Sequence, residues 1–169
     1  MPFYFSPPDT PRRQGAALYA SPLTDMKVRD RDAFGSGHFG ASRDGGKRRH
    51  QGIDLIVQPG EPVFSPASGI YLRPARPYAK DKRYSGMVIQ ADDGAEVKMF
   101  YLAPLDELDR GVRLRAGLTL IGHAQDISAR YPDRGRGPMT PHIHLQIRRQ
   151  GRFMDPLSLI DQPASTTPA

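Results

Sequence analysis

The sequence predicts a single, mostly β domain with few or no long helices, and three observations carry that prediction. The chain has 169 residues, room for one hydrophobic core but not for two comfortable domains. Glycine and proline number 17 each, a density of punctuation that favours short strands joined by turns. No window sustains a helical period, whereas several short runs are apolar or alternate strictly.

Taken in order, residues 1–30 read as an irregular arm with Pro2, Pro7, Pro8 and Pro11, ending in a short Ala-rich stretch. The domain proper is expected over residues 31–160. A polar tail at 161–169, with Pro163 and Pro168, is expected to be disordered. Within the domain, residues 52–57 form an apolar run after a charged loop, and 62–65 and 69–72 are short strands split by Pro66-Ala67-Ser68. Residues 87–90 and 96–102 flank Asp92-Asp93-Gly94, a hairpin turn signal. Another strand is expected at 118–121, and the alternation at 142–148 predicts the clearest strand in the chain. Residues 105–108 allow one or two helical turns at most. The stretch 124–141, rich in Gly, Pro and Arg, reads as a loop, and loops of that length in compact domains are often functional.

The formal net charge of +6 favours polyanionic partners, among them bacterial wall polymers. No dense Lys/Arg run or aromatic–basic pattern points to nucleic acid, so none is expected as a partner. Cysteine is absent, which rules out disulfides and thiolate metal sites. No apolar stretch is long enough for a membrane span or a signal-peptide core. A product of the cytoplasm that acts in the periplasm or on a target cell would therefore need a leaderless export route.

Only five histidines are present: His38, His50, His123, His142 and His144. On a strand, positions i and i+2 share a face, so His142 and His144 sit side by side with Ile143 on the opposite face. His50 precedes Asp54 by four residues, an even spacing that again puts both on one face of an extended segment. Imidazole nitrogen and carboxylate oxygen are zinc ligands. Two His and one Asp leave a fourth position for water, whose pKa zinc brings to about 7. The remaining histidine of the His-x-His pair then stands beside the metal, able to polarise water or stabilise an oxyanion. His38 lies in the Gly-rich run Phe34-Gly-Ser-Gly-His-Phe-Gly40, which can fold back over a site. His123 reads as a loop histidine or as a weaker candidate for the same site.

Three stretches carry a family resemblance: Gly37-His-Phe-Gly-Ala-Ser-Arg43, His50-Gln-Gly-Ile-Asp54 and Gly60-Glu-Pro-Val-Phe-Ser-Pro-Ala-Ser-Gly69. They are followed in order by Gly111-Val112, Gly117, Ile121-Gly122, Pro141-His-Ile-His144 and Asp155-Pro156. Over residues 34–160 this pattern resembles the lysostaphin/LytM-type peptidoglycan metallopeptidases. The resemblance implies antiparallel sheets with a groove over one sheet. It implies one Zn2+ per chain held by His50, Asp54 and His144, with His142 as a catalytic histidine. It also implies cleavage of peptide bonds in bacterial peptidoglycan.

One departure stands out. The family places a second catalytic histidine at the end of a Tyr-x-His strand. Here that strand reads Val97-Lys-Met-Phe-Tyr-Leu-Ala-Pro104, and the position falls on Leu102, or on Ala103 if the register slips by one. Neither moves a proton, so His38, His123, Tyr101 or a water must substitute. This segment, the Arg-Pro-Tyr78 region and the Tyr131-Pro132 loop are similar to the leukocyte-cell-derived chemotaxins, a non-enzymatic zinc-binding branch of the same fold. Three readings follow: a zinc endopeptidase active against wall peptides, with an antibacterial effector or lysis role; an inactive zinc-stapled module that binds a peptide or glycan; and a wall-anchoring part whose N-terminal arm docks to a carrier or secretion protein.

Overall fold

The structure is a computed structural model in which residues 17–160 are described. The tail expected at 161–169 and residues 1–16 of the arm lie outside the described residues. Twelve strands follow in chain order: β1 Ser42–Arg43, β2 Arg48–Arg49, β3 Ile53–Ile56, β4 Pro62–Phe64, β5 Gly69–Ala75 and β6 Gly86–Ala91. They continue with β7 Glu96–Phe100, β8 Leu102–Pro104, β9 Arg113–Leu114, β10 Leu120–Ala124, β11 His142–Arg149 and β12 Arg152–Met154. All the pairings between them are antiparallel.

The main sheet has the order β12-β11-β7-β6-β5-β9, with β3 also paired to β11. A second sheet of three strands, β4-β10-β8, closes over one face of it, and β1 and β2 form a separate hairpin. The core lies between the two larger sheets. Side chains alternate along each strand, so Val97 and Met99 of β7 and Ile143, Leu145 and Ile147 of β11 point into it. Val63, Leu102 and Ile121 meet them from the small sheet. The opposite face of the main sheet, carrying Phe100, His142, His144 and Gln146, is the floor of an open groove.

The expected strands are present with shifted ends, except that the run expected at 96–102 breaks at Tyr101 into β7 and β8, which lie in different sheets. β5 extends to Ala75, and the run expected at 118–121 is displaced to Leu120–Ala124. Residues 105–108 form a single hydrogen-bonded turn, the Leu108 amide donating to the Leu105 carbonyl (3.2 Å), and no helix. The 124–141 loop contains a single 3-10 turn, Ile127–Ala129, capped by Asp126, whose carboxylate accepts from the Ser128 amide. The two-residue strands β1, β2 and β9, and the short β12, escape sequence reading because two or three residues carry no period. Among the described residues no helix is long and apolar enough to cross a membrane.

Residues 17–30 are irregular, as expected, but do not hang free. Tyr19 and Leu23 are buried in the core cluster, and the Tyr19 hydroxyl donates to Asp93 in the turn between β6 and β7 (2.9 Å). Val28 bridges Leu55 on β3.

The central strand offers a direct stability test. Leu145 is fully buried and sits between β3 and β7. Leu145→Ala is expected to cost about 2–5 kcal/mol, read as a lowered urea midpoint at unchanged slope.

Candidate metal centre

Register brings the ligands together. β3 and β11 run antiparallel with Asp54 directly opposite His144. Directly opposed residues share a face at close range, so carboxylate and imidazole converge without any loop excursion. His50 stands just before β3 and is pinned by paired backbone bonds, its amide donating to Ala41 and its carbonyl accepting from Gly40 (2.8 Å each).

Two glycines make room. A Cβ on Gly52 would lie 2.2 Å from the Leu145 carbonyl oxygen and 3.0 Å from the His144 ring. A Cβ on Gly37 would lie 2.9 Å from the Asp54 Cβ. The Gly-rich loop thus folds back over Asp54, with the Asp54 amide donating to the Gly37 carbonyl (2.9 Å).

The three ligand atoms form a near-equilateral triangle. His50 Nε2 lies 3.1 Å from His144 Nδ1 and 3.2 Å from Asp54 Oδ1, and His144 Nδ1 lies 3.0 Å from Asp54 Oδ1. Ligand bonds of about 2.0–2.1 Å at tetrahedral angles separate neighbouring ligand atoms by about 3.3 Å, so the triangle fits one zinc ion. Tautomers agree with this. His50 Nδ1 donates to the His38 carbonyl (2.9 Å), which leaves the Nε2 lone pair facing the triangle. Phe100 stacks on His144, with ring centroids 5.9 Å apart, and fixes its plane.

The two oxygens of Asp54 are divided between tasks. Oδ1 faces the histidines. Oδ2 accepts from the buried Arg29 guanidinium at 2.9 Å, and Arg29 is itself held by Asp32 (2.6 Å) and the Gly35 carbonyl (2.9 Å). Burial alone would raise the Asp54 carboxyl. The ring nitrogens of His144 and His50 against its oxygen, with His142 close by, hold it well below the usual carboxylate range. Arg29 falls inside the stretch read from sequence as an arm, and only its burial reveals its role.

His142 completes the floor. Its Nδ1 donates to the Thr140 carbonyl (2.7 Å), so Nε2 offers a lone pair 3.7 Å from Asp54 Oδ1. Burial pushes its pKa down, against the pull of Asp54, and the ring is neutral at neutral pH.

Of the other expected residues, two are elsewhere. The His38 side chain is 54% exposed and points toward Asp30; only its carbonyl serves the site, by orienting His50. His123 is exposed on β10, opposite Pro62 and Ala103, and does not line the groove.

Of the two positions expected for the second histidine, Leu102 does not face the groove and Ala103 is exposed on β8. Strand alternation from Phe100, which faces the groove, would put residue 102 there too. Instead Tyr101 adopts a left-handed conformation (φ 66°), and the amides of Tyr101 and Leu102 both donate to the Ser85 carbonyl (2.9 and 3.4 Å). This bulge breaks the alternation. Tyr101 swings into the groove, edge-on to His142 with ring centroids 5.3 Å apart, while Leu102 is fully buried in the core. Tyr101, Tyr78 and Tyr131 then form a hydroxyl chain, with Tyr78 Oη 3.0 Å from Tyr101 and 3.1 Å from Tyr131. Burial raises the Tyr101 and Tyr78 phenols, which stay protonated near neutrality.

Residues 48–156, well over half of the chain, match the family model described as Peptidase family M23. The chain belongs to peptidase family M23. Bovine leukocyte cell-derived chemotaxin-2 is 27% identical over 89 residues, covering 53% of this chain and 58% of that protein. The chain thus matches less than two thirds of the length of such relatives. Lysostaphin in solution superposes with a TM-score of 0.58 at 17% identity, covering 90% of this chain and 62% of that one. A putative glycyl-glycine endopeptidase lytM from Ruminococcus gnavus gives a TM-score of 0.51 at 22% identity, covering 85% and 58%. At these identities the structural likeness establishes the M23 fold.

The M23 centre makes a metal test direct. One zinc per chain is expected by elemental analysis. Arg29→Met is expected to weaken zinc binding about 10–100-fold in chelator competition, because Asp54 loses the partner that aims it.

Proposed function

We propose that the protein is a zinc metallo-endopeptidase that hydrolyses peptide bonds in bacterial peptidoglycan. The observation that carries this reading is the pairing of a metal-sized His50–Asp54–His144 triangle with a neutral fourth histidine, His142, on the open floor of a groove. A closed structural site would use four protein ligands. The groove has a volume of about 370 Å³, within the size range of small-molecule and peptide sites.

A bound zinc ion supplies the Lewis acidity that polarises a scissile carbonyl and acidifies water. The chain's own groups do the rest. Arg29 orients Asp54 through Oδ2. His142 Nε2 offers an unprotonated nitrogen to accept the proton of the attacking water and return it to the leaving amine. The Tyr101 phenol, kept protonated, donates a hydrogen bond toward the developing oxyanion from the wall beside His142. In this reading Tyr101 stands where relatives carry a second histidine. The neighbour described as a putative glycyl-glycine endopeptidase supports peptide-bond chemistry in this fold.

The second reading is a zinc-stapled binding module. Tyr101 favours it, because a phenol with a raised pKa is a poor proton acceptor at neutral pH, and so does the likeness to chemotaxin-2.

A digest of purified peptidoglycan with zinc-loaded protein, read by mass spectrometry, separates the two. New fragments are expected from the native protein and none from His144→Ala. Tyr101→Phe is expected to slow release about 10²–10³-fold, the usual cost of one lost oxyanion donor. Absence of fragments at full zinc occupancy, with cleavage appearing in Tyr101→His, would establish the binding-module reading instead.

A further inference from the structure

Beyond the metal groove lies a second cavity, of about 510 Å³, with Phe34 and Tyr131 lining both. These two rings meet edge to face, with centroids 5.5 Å apart, so one aromatic pair is the wall that the two spaces share. The second cavity is further lined by Arg83, Arg130 and Arg134.

Its charge is unbalanced. A single carboxylate, Asp81, serves two of the three guanidinium groups, accepting from Arg83 at 2.8 and 2.9 Å and from Arg130 at 2.6 Å. Arg134 has no acidic partner among the described residues. The nearest acid in sequence, Asp133, directs Oδ1 to the amides of Gly135, Arg136 and Gly137 (2.7, 3.0 and 2.8 Å), which orders the loop that carries Arg134. Arg130 is preset as well, lying 3.8 Å over the Tyr78 ring while bonded to Asp81. Guanidinium groups held in place lose little freedom on binding a planar anion.

The metal groove repeats the bias, since Arg43, Arg48 and Arg49 line it and Asp54 is its only acidic lining residue. A neutral peptide offers these groups carbonyl oxygens but no charge to pair with.

We infer that the Arg83–Arg130–Arg134 cavity is a subsite for a free carboxylate of the peptide held in the metal groove. The inference rests on the peptidase reading for the position of the peptide. Guanidinium recognises phosphate equally well, but the shared aromatic wall makes the cavity continuous with a peptide groove, which favours a carboxylate on the same ligand.

The test uses full-length, zinc-loaded protein carrying His142→Ala to suppress turnover. The probes are a diaminopimelate-bearing stem-peptide dimer with free carboxylates and the same dimer amidated, both followed by calorimetry. The acid form is expected to bind about tenfold tighter at low salt, as one charge-assisted bidentate pair warrants. Arg134→Ala should abolish that preference and Arg134→Lys should keep part of it, with zinc content and circular dichroism unchanged in both. Equal affinity for acid and amide overturns the subsite. So does a glycerol-phosphate oligomer that displaces the peptide through Arg134 at lower concentration than the peptide's own Kd, which would assign the cavity to a phosphate polymer. Turnover by the native protein is scored separately. Cleavage without acid preference removes the subsite alone, and acid preference without cleavage removes the peptidase reading alone.

Discussion

A carboxylate buried this deeply must be compensated on both of its oxygens, and much of the site's architecture follows from how Asp54 meets that demand. Moving such an ion out of water costs several kcal/mol even after relaxation. Arg29 answers on Oδ2, and the histidine triangle, the place for a cation, answers on Oδ1. The first answer requires residues 28–29 to lie along β3, where the Arg29 amide donates to the Asp54 carbonyl (2.8 Å). It also requires the close backbone approach at Gly37 that admits the Gly-rich loop over the carboxylate. That loop in turn presents the His38 carbonyl that fixes the His50 tautomer. Ligand, support and cover are thus one connected set of contacts.

The second constraint is the bulge at Tyr101. A left-handed, non-glycine residue costs about 1–3 kcal/mol and persists only where its surroundings over-determine it. Here the Ser85 carbonyl binds two successive amides, the Ser85 hydroxyl binds the Leu102 carbonyl, and the Gln125 amide binds the Tyr101 carbonyl. The result trades a groove-facing residue 102 for a groove-facing residue 101. A phenol enters the site through backbone geometry as much as through residue identity. Its hydroxyl chain through Tyr78 to Tyr131 reaches the same aromatic pair that separates the two cavities. The groove over the histidines and the arginine-lined cavity therefore share one wall.

The fold class and the candidate His50–Asp54–His144 cluster were legible because both depend on short-range pattern. His142-Ile143-His144 alternates on a strand, His50 and Asp54 keep an even spacing in an extended segment, and the turn at Asp92-Asp93-Gly94 punctuates its hairpin. The two-residue strands β1, β2 and β9 were not legible, since a period needs more residues than they contain. His38 illustrates a different limit. Its loop was rightly expected to cover the site, but whether a loop residue contributes its side chain or its carbonyl depends on local backbone torsions that composition does not encode.

What the sequence determined by itself was the set of chemical groups and their local phase: a β domain without cysteine, with two imidazoles and a carboxylate placed to share a metal. What only the tertiary structure decided was which distant groups complete that set. Arg29 reaches Asp54 across 25 residues, the bulge substitutes Tyr101 for Leu102, and the Arg83–Arg130–Arg134 cavity gathers residues from separate loops. The physical reason is that strand alternation is a local property carried by each residue's neighbours, whereas charge compensation and bulge placement are set by which segments the closed sheets bring together.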